Sequence, residues 1–135
     1  MKELVLFAQA LADETRWRIA SAIMDQSVCV CELVDGLRLA QSTLSSHLQV
    51  MRKGGLVTVE KCDKWAYYRI ADSARALVKR MQAHFAEALA LDATLAADRR
   101  RMLKRLALRG QTNCRGPRVP IPPAHPLRRE TACAC

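Results

Sequence analysis

No cysteine precedes Cys29 and no proline precedes Gly110 in this 135-residue chain. No apolar run approaches the roughly 20 residues needed to cross a bilayer, so a membrane-spanning helix and a membrane partner are not expected. The opening Met1-Lys2-Glu3-Leu4-Val5-Leu6-Phe7 lacks the longer apolar core of a secretory signal, which gives the expectation of a cytoplasmic protein. There is no Cys-x-x-Cys pair and no Cys, His and Asp grouping attributable to a catalytic pocket. That argues against a thiol oxidoreductase or metal-delivery protein, and no enzyme activity and no constitutive cofactor are expected. In a reducing compartment the six cysteines read better as metal ligands or redox groups than as structural disulfides.

Charge is present but unevenly placed. Residues 1–37 carry a net −3, residues 38–80 a net +6, residues 81–98 a net −3 and residues 99–109 a net +6, with +3 in the remainder. A positive block around residues 38–80 is the footprint of a phosphate-binding surface.

The richest stretch runs from Val28 to Leu56. It opens with Cys29-Val30-Cys31, two thiols one residue apart at the start of a short helical run. Gly36-Leu37-Arg38-Leu39-Ala40 then makes a turn, and Gln41 to Lys53 reads as a second helix stopped by Gly54-Gly55. Two short helices joined by a Gly-containing turn are a helix-turn-helix signature. Advancing about 100° per residue from Leu44 puts Leu48 near 40° and Met51 near −20°, a core-facing stripe. Ser42, Ser45, Ser46, Gln49 and Lys53 fall on the opposite side. Small polar side chains there let the backbone approach base edges in the major groove, and Gln49 or Gln41 suits adenine. An ordinary solvated face would carry longer charged residues. The candidate DNA-reading set is Gln41, Ser42, Thr43, Ser45, Ser46, His47, Gln49 and Lys53.

Around this core, Leu4, Phe7, Ala8 and Leu11 give an amphipathic first helix over 3–11. Asp13 suits an N-cap for a helix of roughly 14–25, burying Trp17, Ile19 or Ala20, Ile23 and Met24. Ser27 is expected to cap the cysteine-bearing helix. Leu56 to Lys61 and Trp65 to Ile70 are β-rich runs joined by Cys62-Asp63-Lys64, a hairpin whose Lys61 and Lys64 touch DNA backbone or minor groove. Cys62, at its tip, is expected to lie exposed and remote from the cysteine helix. Asp72 or Ser73 caps a long helix to about Leu91 with Leu77, Met81, Phe85 and Leu89 in one stripe. This is more apolar helix face than so small a domain can bury alone, so a homodimer addressing an inverted-repeat operator in double-stranded DNA is expected. The fold class is mainly α with a small β-hairpin, a winged helix-turn-helix. Residues 1–92 form this DNA-binding and dimerisation domain, 93–109 a basic helical extension whose arginines are mostly solvated, and 110–135 a flexible Pro-rich tail bearing Cys114, Cys133 and Cys135.

Four pieces in this order and spacing resemble the ArsR/SmtB family of metal-responsive winged-helix repressors. They are Leu11-Ala12-Asp13-Glu14-Thr15-Arg16, Cys29-Val30-Cys31-Glu32-Leu33, Gln41-Ser42-Thr43-Leu44-Ser45-Ser46-His47-Leu48 and Lys64-Trp65-Ala66-Tyr67-Tyr68-Arg69, within roughly residues 5–90. The resemblance implies a dimer that represses its operon until an effector releases it. The cysteine box is similar to that of arsenite- and antimonite-responsive members, in which a third cysteine stands where this chain has Val34. Cadmium- and lead-responsive members add cysteines from an N-terminal arm, absent here. Of the zinc-responsive pattern only His84 and Glu87 match, with Ser73 where the first histidine should stand. Ala40 replaces the family's usual serine before Gln41.

The expected effector is therefore As(III) or Sb(III), soft ions that prefer thiolates. Cys29 and Cys31 are the core ligands, and Cys114, Cys133 or Cys135 can supply a third, the tail spanning roughly 25–30 Å if flexible. Residues i and i+2 point about 200° apart on an ideal helix, so the pair grips one ion only at a frayed helix start or by unwinding the first turn. The alternatives are a thiol-oxidation switch at the same cysteines and a cadmium- or lead-responsive repressor.

Overall fold

The computed structural model describes residues 1–62 and 64–109. In chain order they form α1 (Lys2–Leu11), α2 (Glu14–Ala22), β1 (Val28–Cys29), α3 (Val30–Leu37), α4 (Gln41–Lys53), β2 (Val57–Cys62), β3 (Trp65–Ile70), α5 (Asp72–His84), α6 (Ala86–Leu91) and α7 (Ala93–Ala107). No helix among the described residues is long and apolar enough to cross a membrane.

Local chemistry sets the boundaries. Asp13 is extended, and its carboxylate accepts the Arg16 amide at 2.9 Å, starting α2 as its N-cap. α2 ends at Ala22, earlier than periodicity predicts, because Ile23 and Met24 can stay buried without helical geometry. Gly54 marks the end of α4 where α1 passes over it. A Cβ there would stand 2.7 Å from the Leu6 carbonyl oxygen and 2.8 Å from Ala10 Cβ, so only glycine admits this approach. Asp72 and Ser73 do not cap α5. Its N-cap is Ala71, and Asp72 instead pairs with Arg69 at 2.7 Å. The long helix expected to reach Leu91 is broken at Phe85, which separates α5 from α6.

β2 and β3 form the expected hairpin, in register from Val57 opposite Ile70 to Cys62 opposite Trp65. A third strand joins it. Val28 pairs with Tyr68 and Cys29 with Tyr67, giving the antiparallel order β1-β3-β2. The structure is thus a winged helix-turn-helix whose cysteine segment is part of the wing's sheet.

The core joins Ile19, Ala20 and Ile23 to Leu33 and Leu37 of α3, Leu44, Leu48 and Met51 of α4, and Leu56, Ile70 and Val78. Burying each of the larger of these, the leucines, isoleucines, methionine and valine, stabilises the fold by about 1.5–3 kcal/mol. Met102 of α7 belongs to this core, so residues 93–107 fold back onto the domain. Gly36 makes that possible: a Cβ there would meet Met102 Sδ at 2.0 Å. Asp98, buried, accepts Arg18 Nε at 2.6 Å and also pairs with Arg101. The hydrogen bond to Asp98 is the main reason Arg18 holds its proton more firmly than an ordinary arginine, burial opposing it. Arg101 donates to the Gly36 carbonyl at 2.8 Å and Arg105 to Asp35 at 2.8 Å. A run of arginines expected to be mostly solvated therefore spends part of its charge on α3.

Candidate nucleic-acid interface and thiol site

α4 separates its two faces cleanly. Leu44, Leu48 and Met51 are buried, while Gln41, Ser42, Thr43, Ser45, Ser46, Gln49, Arg52 and Lys53 are exposed. The side-chain hydroxyl of Ser46 donates to the Ser42 carbonyl at 3.0 Å, which keeps it close to the helix surface. Ala40 caps α4 without any side-chain bond, as its lack of a hydroxyl requires. His47 departs from the expected set. It is half-buried, with its Nδ1 3.6 Å from Asp13 Oδ1 and 3.5 Å from an Arg16 nitrogen. Arg16 in turn donates to the Ala10 and Gln9 carbonyls at 2.8 and 2.7 Å. His47 thus sits at the seam where α1, α2 and α4 meet, away from the serines, because the α2 N-cap offers it an acidic and a basic neighbour.

Lys61 and Lys64 of the hairpin are both exposed, with Lys64 Nζ 5.5 Å from the centroid of the Trp65 ring. On the wing's other end Arg69 holds Asp72 below the usual carboxylate range through a hydrogen bond. Burial pushes Glu60 up, with Arg69 opposing the shift. Arg38, singled out by no sequence motif, is exposed and left-handed (φ 53°) at the turn leading into α4. In the sequence only the charge excess of residues 38–80 points to it.

The two cysteines of the box occupy different structures. Cys29 ends β1, is extended, and stands at the N-cap of α3, where Glu32 reaches back to accept its amide at 3.0 Å. Ser27, expected to be the cap, is instead buried two residues earlier. Cys31 lies in the first helical turn and is half-buried. Both are disulfide-bonded. Cys62 is not the exposed, remote thiol expected. It is 1% exposed and shares a small apolar cluster with Cys29 and Tyr67, against which Cys31 and Trp65 also pack. The cause is register: Cys29 opposite Tyr67 and Cys62 opposite Trp65 fall on one face of β3, since residues 65 and 67 point the same way. Among the described residues no three His, Cys, Asp or Glu side chains are grouped closely enough to hold a metal ion. Cys114, Cys133 and Cys135, with the expected tail, lie outside the described residues.

Residues 13–59, covering α2 to the first half of β2, match the family model described as a bacterial regulatory protein of the arsR family. The chain is 33% identical over 72 residues to a transcriptional repressor SmtB homolog of Synechocystis, 53% of this chain and 54% of that protein. It is 39% identical over 62 residues to the arsenical resistance operon repressor of Escherichia coli, 45% of this chain and 53% of that one. The matches thus span about half the length of these two relatives. The transcriptional regulator HlyU of Vibrio vulnificus superposes with a TM-score of 0.54 at 33% identity, over 62% of this chain and 88% of that structure.

Proposed function

The chain belongs to the arsR family of bacterial regulatory proteins, and we propose from that premise that it is a transcriptional repressor released by As(III) or Sb(III). It binds double-stranded operator DNA as a homodimer, with α4 in the major groove and the Lys61–Lys64 wing on the backbone beside it. The observation that carries the DNA reading is the division of α4, whose buried Leu44, Leu48 and Met51 leave a face of small polar side chains outward. The homodimer is supported by Leu4 and Val5 of α1, Leu77 of α5, and Phe85 and Leu91 beyond it, large apolar side chains exposed on the single chain.

Cys29 and Cys31 are the proposed ligands of the metalloid. Once reduced, Cys29 at the α3 N-cap and Cys31 in its first turn offer two sulfurs within three residues, and trivalent arsenic prefers soft sulfur donors. The E. coli relative's name, which refers to arsenical resistance, supports this effector over cadmium or lead. Emptying an operator from 99% to 1% occupancy requires the effector to favour the released state by about 5.5 kcal/mol, within reach of two metal–thiolate bonds. A fluorescence-anisotropy titration of operator DNA tests this on reduced protein. Micromolar arsenite or antimonite should release wild type but not the Cys29→Ser, Cys31→Ser variant. Equal release of both proteins would remove the cysteine box from the mechanism.

A second reading, a thiol-oxidation switch, is favoured by one observation: Cys29 and Cys31 are disulfide-bonded, with Cys62 in the same cluster. Under this reading oxidant releases the operator, and arsenite under strong reductant does not.

A further inference from the structure

Arg109, just past the end of α7, grips the segment that carries both cysteines from its two ends. Its guanidinium donates to the Ser27 carbonyl at 2.6 Å on one side. On the other it makes a two-pronged pair with Glu32, Nε to Oε1 at 2.8 Å and NH2 to Oε2 at 2.9 Å. The same Oε2 accepts the Cys29 amide. Glu32 is fully buried and the Arg109 side chain nearly so. A planar guanidinium held at two points fixes the separation of its partners, because its donors form a rigid fork. Here those partners bracket residues 28–31, so the shape of the cysteine turn and the docking of the α7 terminus are one arrangement.

From this geometry we infer that Arg109 and Glu32 are positioning residues that clasp the Cys29–Cys31 turn, and that a thiophilic ligand taking both sulfurs opens the clasp and undocks the end of α7 from α3. The inference rests on the thiol-ligand reading given above. Cys29 is extended at the N-cap and Cys31 stands in the first helical turn, and both are oxidised in this structure, so reducing them and tying the two sulfurs to one ion changes the covalent constraint on the backbone between them. A change of that backbone displaces the Cys29 amide from Glu32 and changes the distance that Arg109 spans. The cysteines, disulfide-bonded in this structure, are first returned to thiols by a phosphine, which is itself oxidised to the phosphine oxide; arsenous acid then exchanges two As–O bonds for two As–S bonds, the two thiol protons leave with the hydroxyls as two waters, and arsenic stays trivalent.

Linkage gives the inference a sign that a merely structural role does not have. If ligand binding works against the clasp, removing the clasp tightens ligand binding by the same factor. Reduced full-length protein is titrated with arsenite, following the ultraviolet sulfur–arsenic charge-transfer absorption, alongside hydrogen exchange of the 99–109 segment. Arsenite should speed exchange of that segment in wild type by about tenfold or more, and not in the Cys29→Ser, Cys31→Ser variant. Arg109→Gln should bind arsenite roughly 5- to 50-fold more tightly, show fast α7 exchange before any arsenite is added, and respond little to it. Arg109→Lys, which keeps the charge but not the fork, should fall between. Glu32→Gln should act like Arg109→Gln; because either change leaves a buried partner unpaired, Arg109→Lys, which keeps the ion pair but not the fork, decides the matter by the sign of its shift if those two do not fold. Arsenite that binds wild type while α7 exchange stays unchanged overturns the inference alone, as does equal or weaker arsenite binding by folded Arg109→Gln. Absence of arsenite binding to wild type overturns the metalloid reading and this inference with it.

Discussion

Replacing Asp98 by asparagine isolates what holds α7 to the domain. Asp98 is 3% exposed and accepts two bonds from Arg18, at 2.6 and 3.1 Å, and one from Arg101. Asparagine keeps the size but removes the charge and one acceptor. Taking one partner from a buried ion pair costs about 3–5 kcal/mol when the remaining charge is sealed in. Here the guanidinia keep other partners, the Leu37 carbonyl for Arg18 and the Gly36 carbonyl for Arg101, and some solvent. Their exposure lowers the expected loss to about 2 kcal/mol, in the range for a charged hydrogen bond. For a domain with about 5–15 kcal/mol in hand that is a large share, worth roughly 8 °C in Tm at this size. Urea denaturation followed by far-ultraviolet circular dichroism measures it, with Arg100→Gln on the exposed side of α7 as control, expected within about 0.5 kcal/mol of wild type. A loss for Asp98→Asn no larger than the control's would mean that α7 does not rest on this ion pair, and the docking described here would be wrong.

Three further outcomes are expected. In operator binding, Gln49→Ala should cost about 1–3 kcal/mol on the cognate site alone, whereas Lys64→Ala should weaken all sequences alike and reduce the salt slope by about one; gel shifts at several salt concentrations distinguish the two. Leu77→Glu, on the exposed side of α5, should shift the protein from dimer to monomer in analytical ultracentrifugation without loss of helix, since Leu77 is half exposed on the single chain. Glu60 has its carboxyl pushed up by burial, so its contribution to stability is present in acid and is lost as pH rises through its folded-state value. Glu60→Gln should therefore raise Tm at pH 7 relative to wild type, with the gap closing below about pH 4.

What the sequence made legible is what depends on local periodicity. The α4 stripe of Leu44, Leu48 and Met51, its polar face, the Asp13 cap and both hairpin strands follow from residue spacing and turn chemistry, which act within a few positions. The misses are contacts set by distant partners. β1 is two residues long and becomes a strand only because Tyr67 and Tyr68, far along the chain, lie beside it. Cys62 looked like an exposed tip residue because its neighbours on the sheet face are decided by register. The arginines of α7 have the composition of a solvated run, and nothing local announces that Asp35, Glu32 and the Gly36 carbonyl receive them. His47 sat among serines in sequence, yet its helix turn brings it to Asp13.

The central position of β3 has a mechanical consequence. One strand is stitched on its left edge to the segment ending in Cys29 and on its right edge to the arm bearing Lys61. The cysteine segment and the Lys61 arm are therefore joined through one backbone ladder as well as through the helices. Neither edge of β3 can shift without loading the other.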